Sequence, residues 1–236
     1  MFHKGNKISV WGDSVLKGVI LDEGRGTYQV LAHSCIQMVE QALGISIVNK
    51  SRFGCTVEKG YQLLTKSLDQ GLDCDLVVLE YGGNDCDFDW AAVAADPTAD
   101  HQPHTPLPRF MQTLQHMVDL LVHRGIRPVL MSLPPICAER YFNFIVGRGV
   151  DRVNLLTFLG DVQQIYRHHE LYSLAITRLA DRSGCLYAPV RETFLTQGHR
   201  RDLICGDGIH PNADGHRIMQ QVFTDLGQNL APNLAF

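Results

Sequence analysis

Ser14 stands in the turn Trp11, Gly12, Asp13, Ser14, and Asn84 in the turn Gly82, Gly83, Asn84, Asp85. Asp207 precedes His210 by three residues in the run Asp207, Gly208, Ile209, His210, Pro211. Each has an ordinary explanation when taken alone. Ser is among the favoured helix N-cap types, two glycines before an asparagine make a common strand-ending turn, and an Asp before a His can close an Asx turn. Together they amount to a nucleophile, a side-chain donor for a developing oxyanion, and a base with the acid that orients it, which is the inventory of hydrolytic acyl transfer. Gly54 adds a fourth position, because a residue without a Cβ lets its backbone N–H approach a substrate closely.

These residues work together only if the fold brings their turns to one place. Short apolar, β-branched runs over 7–11, 45–49, 75–81, 127–133 and 185–190 read as buried strands. Between them, apolar residues recur at helical spacing: Val30, Leu31, Cys35, Met38, Val39 and Ala42, then Tyr61, Leu64 and Leu68, then Phe110, Leu114, Met117, Val118 and Leu121. A further helix is expected over 161–182, and a last one after Asn212 with Ile218, Met219, Val222, Phe223 and Leu226 on one face. Strands alternating with helices predict a parallel sheet covered on both sides, with ligands at the carboxyl ends of its strands. Ser14 follows the first strand and Asn84 the third, as that arrangement requires.

Two segments break the alternation. Residues 87–108 carry Pro97, Pro103, Pro106 and Pro108 with little periodicity and read as a long loop. Residues 134–160 open on Pro134 and Pro135, carry Tyr141, Phe142, Phe144 and Phe158, and read as a second irregular insertion. Both follow strand ends and are candidate lids. A polar rim beside aromatics such as Trp90 and Tyr141 suits a sugar ring, so these two are candidate substrate-binding residues.

The chain has 236 residues, 45% of them hydrophobic and 19% charged, which excludes disordered, collagen-like and coiled-coil readings and fits one domain over 1–236. The net charge is −4 and the 21 Lys and Arg are scattered, so neither nucleic acid nor a membrane surface is an expected partner. No apolar run approaches the roughly 20 residues of a membrane span, and the N-terminal stretch is too short for a signal peptide, so a cytoplasmic protein is expected. The seven cysteines (35, 55, 74, 86, 137, 185 and 205) never fall in a CxxC spacing and read as reduced, mostly buried thiols. No metal and no cofactor is expected. The run His168, His169, Glu170 lacks an i, i+4 His pair and reads as a solvated helix face.

With these turns in place, the chain resembles the SGNH subgroup of the GDSL hydrolases. The family blocks read here as WGDS with Ser14, SRFG with Gly54, GGND with Asn84 and DGIHP with Asp207 and His210, in the family order over nearly the whole chain. Val15 stands where many members have Leu. The G-x-S-x-G elbow of the α/β-hydrolases is absent. The resemblance implies a flavodoxin-like three-layer α/β/α fold whose five parallel strands lie in the order 2-1-3-4-5. It also implies ester hydrolysis through an acyl-enzyme, with Ser14 as nucleophile, His210 as base and Asp207 orienting it. The Ser14 and Gly54 backbone N–H groups and the Asn84 amide would form the oxyanion hole. Asp13 is expected to organise its turn rather than react. A small-molecule ester, acetyl esters of carbohydrates among them, is the expected substrate. A thioesterase or lysophospholipase for longer acyl chains is the alternative within the same chemistry, and a catalytically silent ligand-binding domain the alternative outside it. The oligomeric state is left open.

Overall fold

The computed structural model describes residues 7–198 and 202–229. In chain order, β1 (Ile8–Gly12) leads through α1 (Ser14–Lys17) into a hairpin of β2 (Val19–Asp22) and β3 (Thr27–Val30), followed by α2 (Cys35–Leu43), β4 (Ile47–Asn49), α3 (Val57–Asp69) and β5 (Leu76–Glu80). Then come α4 (Trp90–Ala95), α5 (Leu107–His123), β6 (Arg127–Met131), α6 (Ala138–Gly147), α7 (Arg152–Leu159), α8 (Gln163–Ser183), β7 (Leu186–Ala188), α9 (Val190–Leu195) and α10 (Ala213–Asn229).

Five of the strands form a parallel sheet in the order β4-β1-β5-β6-β7. Counted among the sheet strands alone this is 2-1-3-4-5; the numbering departs in one detail, because the antiparallel pair β2 and β3 lies between the first and second of them. Side chains alternate between the faces as the two-residue period of a strand dictates. Ile8, Val10, Leu76, Val78, Val129 and Met131 pack against α2, α9 and α10. Trp11, Val77, Leu79 and Leu130 meet α3, α5 and α8 on the other face. Burial on both sides explains why β1 and β5 read as continuous apolar runs.

Three expectations are corrected. Val30 and Leu31 do not open a helix: Val30 ends β3, and α2 begins only at Cys35, where Ser34 and Gln37 form a capping box. Residues 87–108 are not all loop, since Asp89 accepts from the Ala92 N–H and starts α4. Residues 134–160 are mostly helical, forming α6 and α7, the second capped by Asp151. These helices bury their own cluster of Val93, Phe142, Ile145 and Leu155 beside Phe88, Trp90 and Ile209. The two insertions therefore share one small core beside the Asp207–His210 loop, of which Ile209 is part.

Candidate active site

The β1 strand delivers Ser14 to the carboxyl edge of the sheet. Asp13, not Ser14, caps α1: its Oδ1 accepts from the Val15 N–H at 2.8 Å. That leaves the Ser14 hydroxyl free for His210, whose Nε2 lies 2.9 Å from Ser14 Oγ. His210 Nδ1 is 2.6 Å from Asp207 Oδ2, while Asp207 Oδ1 accepts from the N–H groups of Ile209 and His210. An acceptor at Nδ1 fixes the tautomer that donates there, which leaves the Nε2 lone pair turned toward Ser14 Oγ. All three side chains are buried. Burial pushes the Asp207 carboxyl up, but the hydrogen bond and charge of His210 together with the two backbone donors outweigh it, and the group sits below the usual carboxylate range.

The Asp207–His210 loop is pinned by backbone bonds from Cys205 N to His210 O and from Cys137 N to Gly208 O. Gly208 has φ +82°, and a Cβ there would lie 2.4 Å from the Tyr141 nitrogen, so no other residue fits between the loop and α6.

Gly54 arrives from the segment after β4, which is tied to β1 by bonds from Lys50 N to Val10 O and from Arg52 N to Gly12 O. Its φ of +67° is the left-handed conformation that favours glycine. Asn84 comes from the end of β5, and its Nδ2 donates to Asp13 Oδ2 at 2.8 Å and reaches the Cys55 carbonyl at 3.5 Å. Among the described residues the N–H groups of Ser14 and Gly54 donate to no other residue. Asp85, a neighbour in the same block whose role the sequence reading missed, accepts from the Val57 N–H with both oxygens and fixes the start of α3 directly after the Gly54 turn. Beneath Ser14, burial pushes the Asp13 and Glu80 carboxyls up, Glu80 further because Asp13 lies beside it. The two carboxyls resist ionising together, while Asp13 accepts from the Val15 N–H and the Asn84 amide.

A cavity of about 270 Å³ opens from Ser14, Asn84 and His210 toward Phe88, Trp90, Tyr141 and Phe158. Gly54 and Asp207 stand outside its lining. Trp90 and Tyr141 both reach it, but their polar atoms are engaged elsewhere: Asp87 accepts from Trp90 Nε1 at 2.8 Å and from the Tyr141 hydroxyl at 2.6 Å. They present ring surface to the cavity, not free donors. Asp96 and Asp100 of the first insertion stay out of the lining, so the wall it contributes is more apolar than its composition suggests. The run His168, His169, Glu170 is not a solvated face. His169 is 5% exposed, both histidines line the cavity, and burial, with the adjacent Arg191 charge, lowers the His169 pKa to about 3. Hydropathy could not reveal this, because the partner ring of Phe88 and the buried Arg191 come from distant segments.

All seven cysteines are free, and burial raises Cys55, close to the site, to about 11, which keeps it a thiol. Among the described residues no group of three or more side chains is gathered that could hold a metal ion, and no helix is long and apolar enough to cross a membrane.

The chain belongs to the GDSL-like lipase/acylhydrolase family, whose model matches residues 10–218. It is thus a serine ester hydrolase by class. Comparison with curated proteins gives no match. Among solved structures the chain is similar to LAE5, an alpha/beta hydrolase enzyme from the metagenome of Lake Arreo, Spain, with 22% identity over 97% of this chain and 98% of that one and a TM-score of 0.68. It is also similar to the lipase/acylhydrolase of Enterococcus faecalis, with 14% identity, 94% and 96% coverage and a TM-score of 0.63. A variant of Axe2, an acetyl xylan esterase from Geobacillus stearothermophilus, gives 21% identity, 94% coverage of each chain and a TM-score of 0.65.

Proposed function

We propose that the protein hydrolyses small acyl esters, acetyl esters of carbohydrates foremost, through an acyl-enzyme on Ser14. The observation that carries this reading is the unbroken hydrogen-bond chain from Ser14 Oγ through His210 to Asp207, at 2.9 and 2.6 Å. In the first half-reaction Ser14 Oγ bonds to the ester carbonyl carbon and its proton passes to His210 Nε2. The carbonyl oxygen, now an anion, is met by the N–H groups of Ser14 and Gly54 and the amide of Asn84. As the carbon–oxygen bond to the alcohol breaks, the leaving oxygen takes the proton from His210. Water then attacks the acyl carbon, gives a proton to His210, and Ser14 departs with that proton. Asp207 keeps its charge throughout and holds the imidazole in the tautomer that the cycle needs.

The acetyl preference draws support from the similarity to an acetyl xylan esterase. A second reading, longer acyl chains, is favoured by one observation: the cavity beside Ser14 includes an apolar wall of Phe88, Trp90, Ile136, Phe158, Leu159 and Ile165, and an acetyl group would leave most of it empty. A panel of p-nitrophenyl esters from acetyl to palmitoyl, run beside acetylated oligosaccharides, separates the two. Highest kcat/KM on acetyl esters supports the first reading, and highest kcat/KM on octanoyl or longer esters the second. The unpaired cysteines support a reducing, cytoplasmic setting.

A further inference from the structure

The cavity covers one side of the Ser14–His210 pair, and a separate group of rings covers another. Tyr28, on β3 of the hairpin, meets the His210 ring edge-on at 5.1 Å between centroids. Phe53, next to Gly54, lies nearly parallel to the same imidazole at 6.2 Å and 20°. Tyr28 also packs on Phe53 at 5.4 Å and on Phe144 of α6 at 6.4 Å, and the Arg148 guanidinium sits 4.4 Å above the Phe144 ring. None of these four residues lines the cavity. Phe53 is 55% exposed, the one aromatic ring among the exposed large apolar side chains of the described residues, and it stands beside the buried His210 and Asp207.

The hairpin that carries Tyr28 is docked on the Asp207–His210 loop. Glu23, in its turn, accepts from the Gly206 N–H at 2.9 Å, and the Tyr28 hydroxyl faces the Asp207 carboxylate. Tyr28 is therefore held in position by the loop whose histidine it touches.

The direction of the chemistry assigns an occupant. His210 must hand its proton to the leaving oxygen, so the alcohol portion of the ester has to lie against the imidazole. The acyl portion, attached to the carbon that Ser14 attacks, is left with the cavity beyond Asn84. We infer that Phe53, Tyr28 and Phe144 form a leaving-group shelf for alcohols that carry a flat-faced ring, a pyranoside being the fitting class. The exposed Phe53 face stacks on the ring carbons, and the exposed Arg148 stands at the rim where ring hydroxyls emerge. This inference rests on the ester-hydrolase reading of Ser14 and His210, and it holds whichever acyl length the cavity prefers.

The test is the ratio of kcat/KM for a monoacetylated methyl pyranoside to that for ethyl acetate, which share the acetyl-enzyme and differ only in the alcohol. Phe53→Ala is expected to lower this ratio by roughly tenfold, about 1.4 kcal/mol, the upper part of the range for one aromatic contact. Phe53→Trp, which keeps a flat face, is expected to restore most of it. Circular dichroism and the rate of labelling by a small serine-directed phosphonate verify that each variant is folded. An unchanged ratio in folded, phosphonate-reactive Phe53→Ala overturns the shelf and leaves the esterase reading standing. Failure of the wild-type protein to cleave these two acetyl esters and their octanoyl counterparts removes that reading and the shelf with it.

Discussion

Asn84 Nδ2 lies 2.8 Å from Asp13 Oδ2, so the residue that caps α1 at Ser14 also aims the amide proposed to meet the oxyanion. Each Asp13 oxygen has its own donor, Val15 N–H on Oδ1 and Asn84 on Oδ2. An asparagine has a single acceptor oxygen and cannot serve both. Asp13→Asn is therefore expected to lower kcat by about tenfold or more, and Asn84→Ala by roughly 10²- to 10³-fold, each with a smaller change in KM. In a double-mutant cycle on kcat/KM, Asp13→Asn should cost much less once Asn84 is already Ala. Fully additive losses would separate the two residues.

The cavity wall makes a prediction about acyl length. Trp90 fills part of the space next to Tyr141, and its removal leaves room without touching the Ser14–His210 pair. Trp90→Ala is expected to raise the octanoyl-to-acetyl ratio of kcat/KM several-fold, by up to about 1.4 kcal/mol of transition-state binding if the ratio rises tenfold. A ratio that stays constant or falls places the acyl chain elsewhere.

Asp85 links the site to pH through stability. Burial pushes its carboxyl from 3.8 to about 7, against hydrogen bonds from Thr105 and the Val57 N–H. A group raised on folding favours the protonated native state, so its contribution is complete below its unfolded pKa and is lost as pH rises through about 7. Asp85→Asn keeps an acceptor for Val57 and removes the titration. The urea-unfolding free energy of wild type minus that of Asp85→Asn should fall between about pH 4 and about pH 7. A flat difference would show that Asp85 does not titrate in this window.

The candidate site was legible in the sequence because each of its residues sits in a short block at a strand end or before a helix, where local turn composition and fold topology agree. Asn84 and its two glycines after an apolar β5 needed no knowledge of distant contacts. The β2–β3 hairpin was not legible: its strands are four residues each, its exposed face carries no alternating apolar signal, and Val30 mimics helical spacing with residues of α2. The helices of 134–160 were hidden by the Pro134–Pro135 opening and by Gly147, Gly149 and Gly160, which suggest loop. The inward aim of His168 and His169 depends on Phe88 and Arg191, contacts that no local pattern records.

The proposed cycle requires Ser14 Oγ to carry the acyl group. Incubating the protein with a serine-directed organophosphonate and mapping the adduct by peptide mass spectrometry, in wild type and in Ser14→Ala, tests this directly. One adduct per chain on the peptide containing Ser14 is expected, absent in Ser14→Ala, whose ester turnover should be down by about 10⁴-fold or more while its fold persists. Labelling at another residue, or near-normal ester turnover in Ser14→Ala, would contradict it.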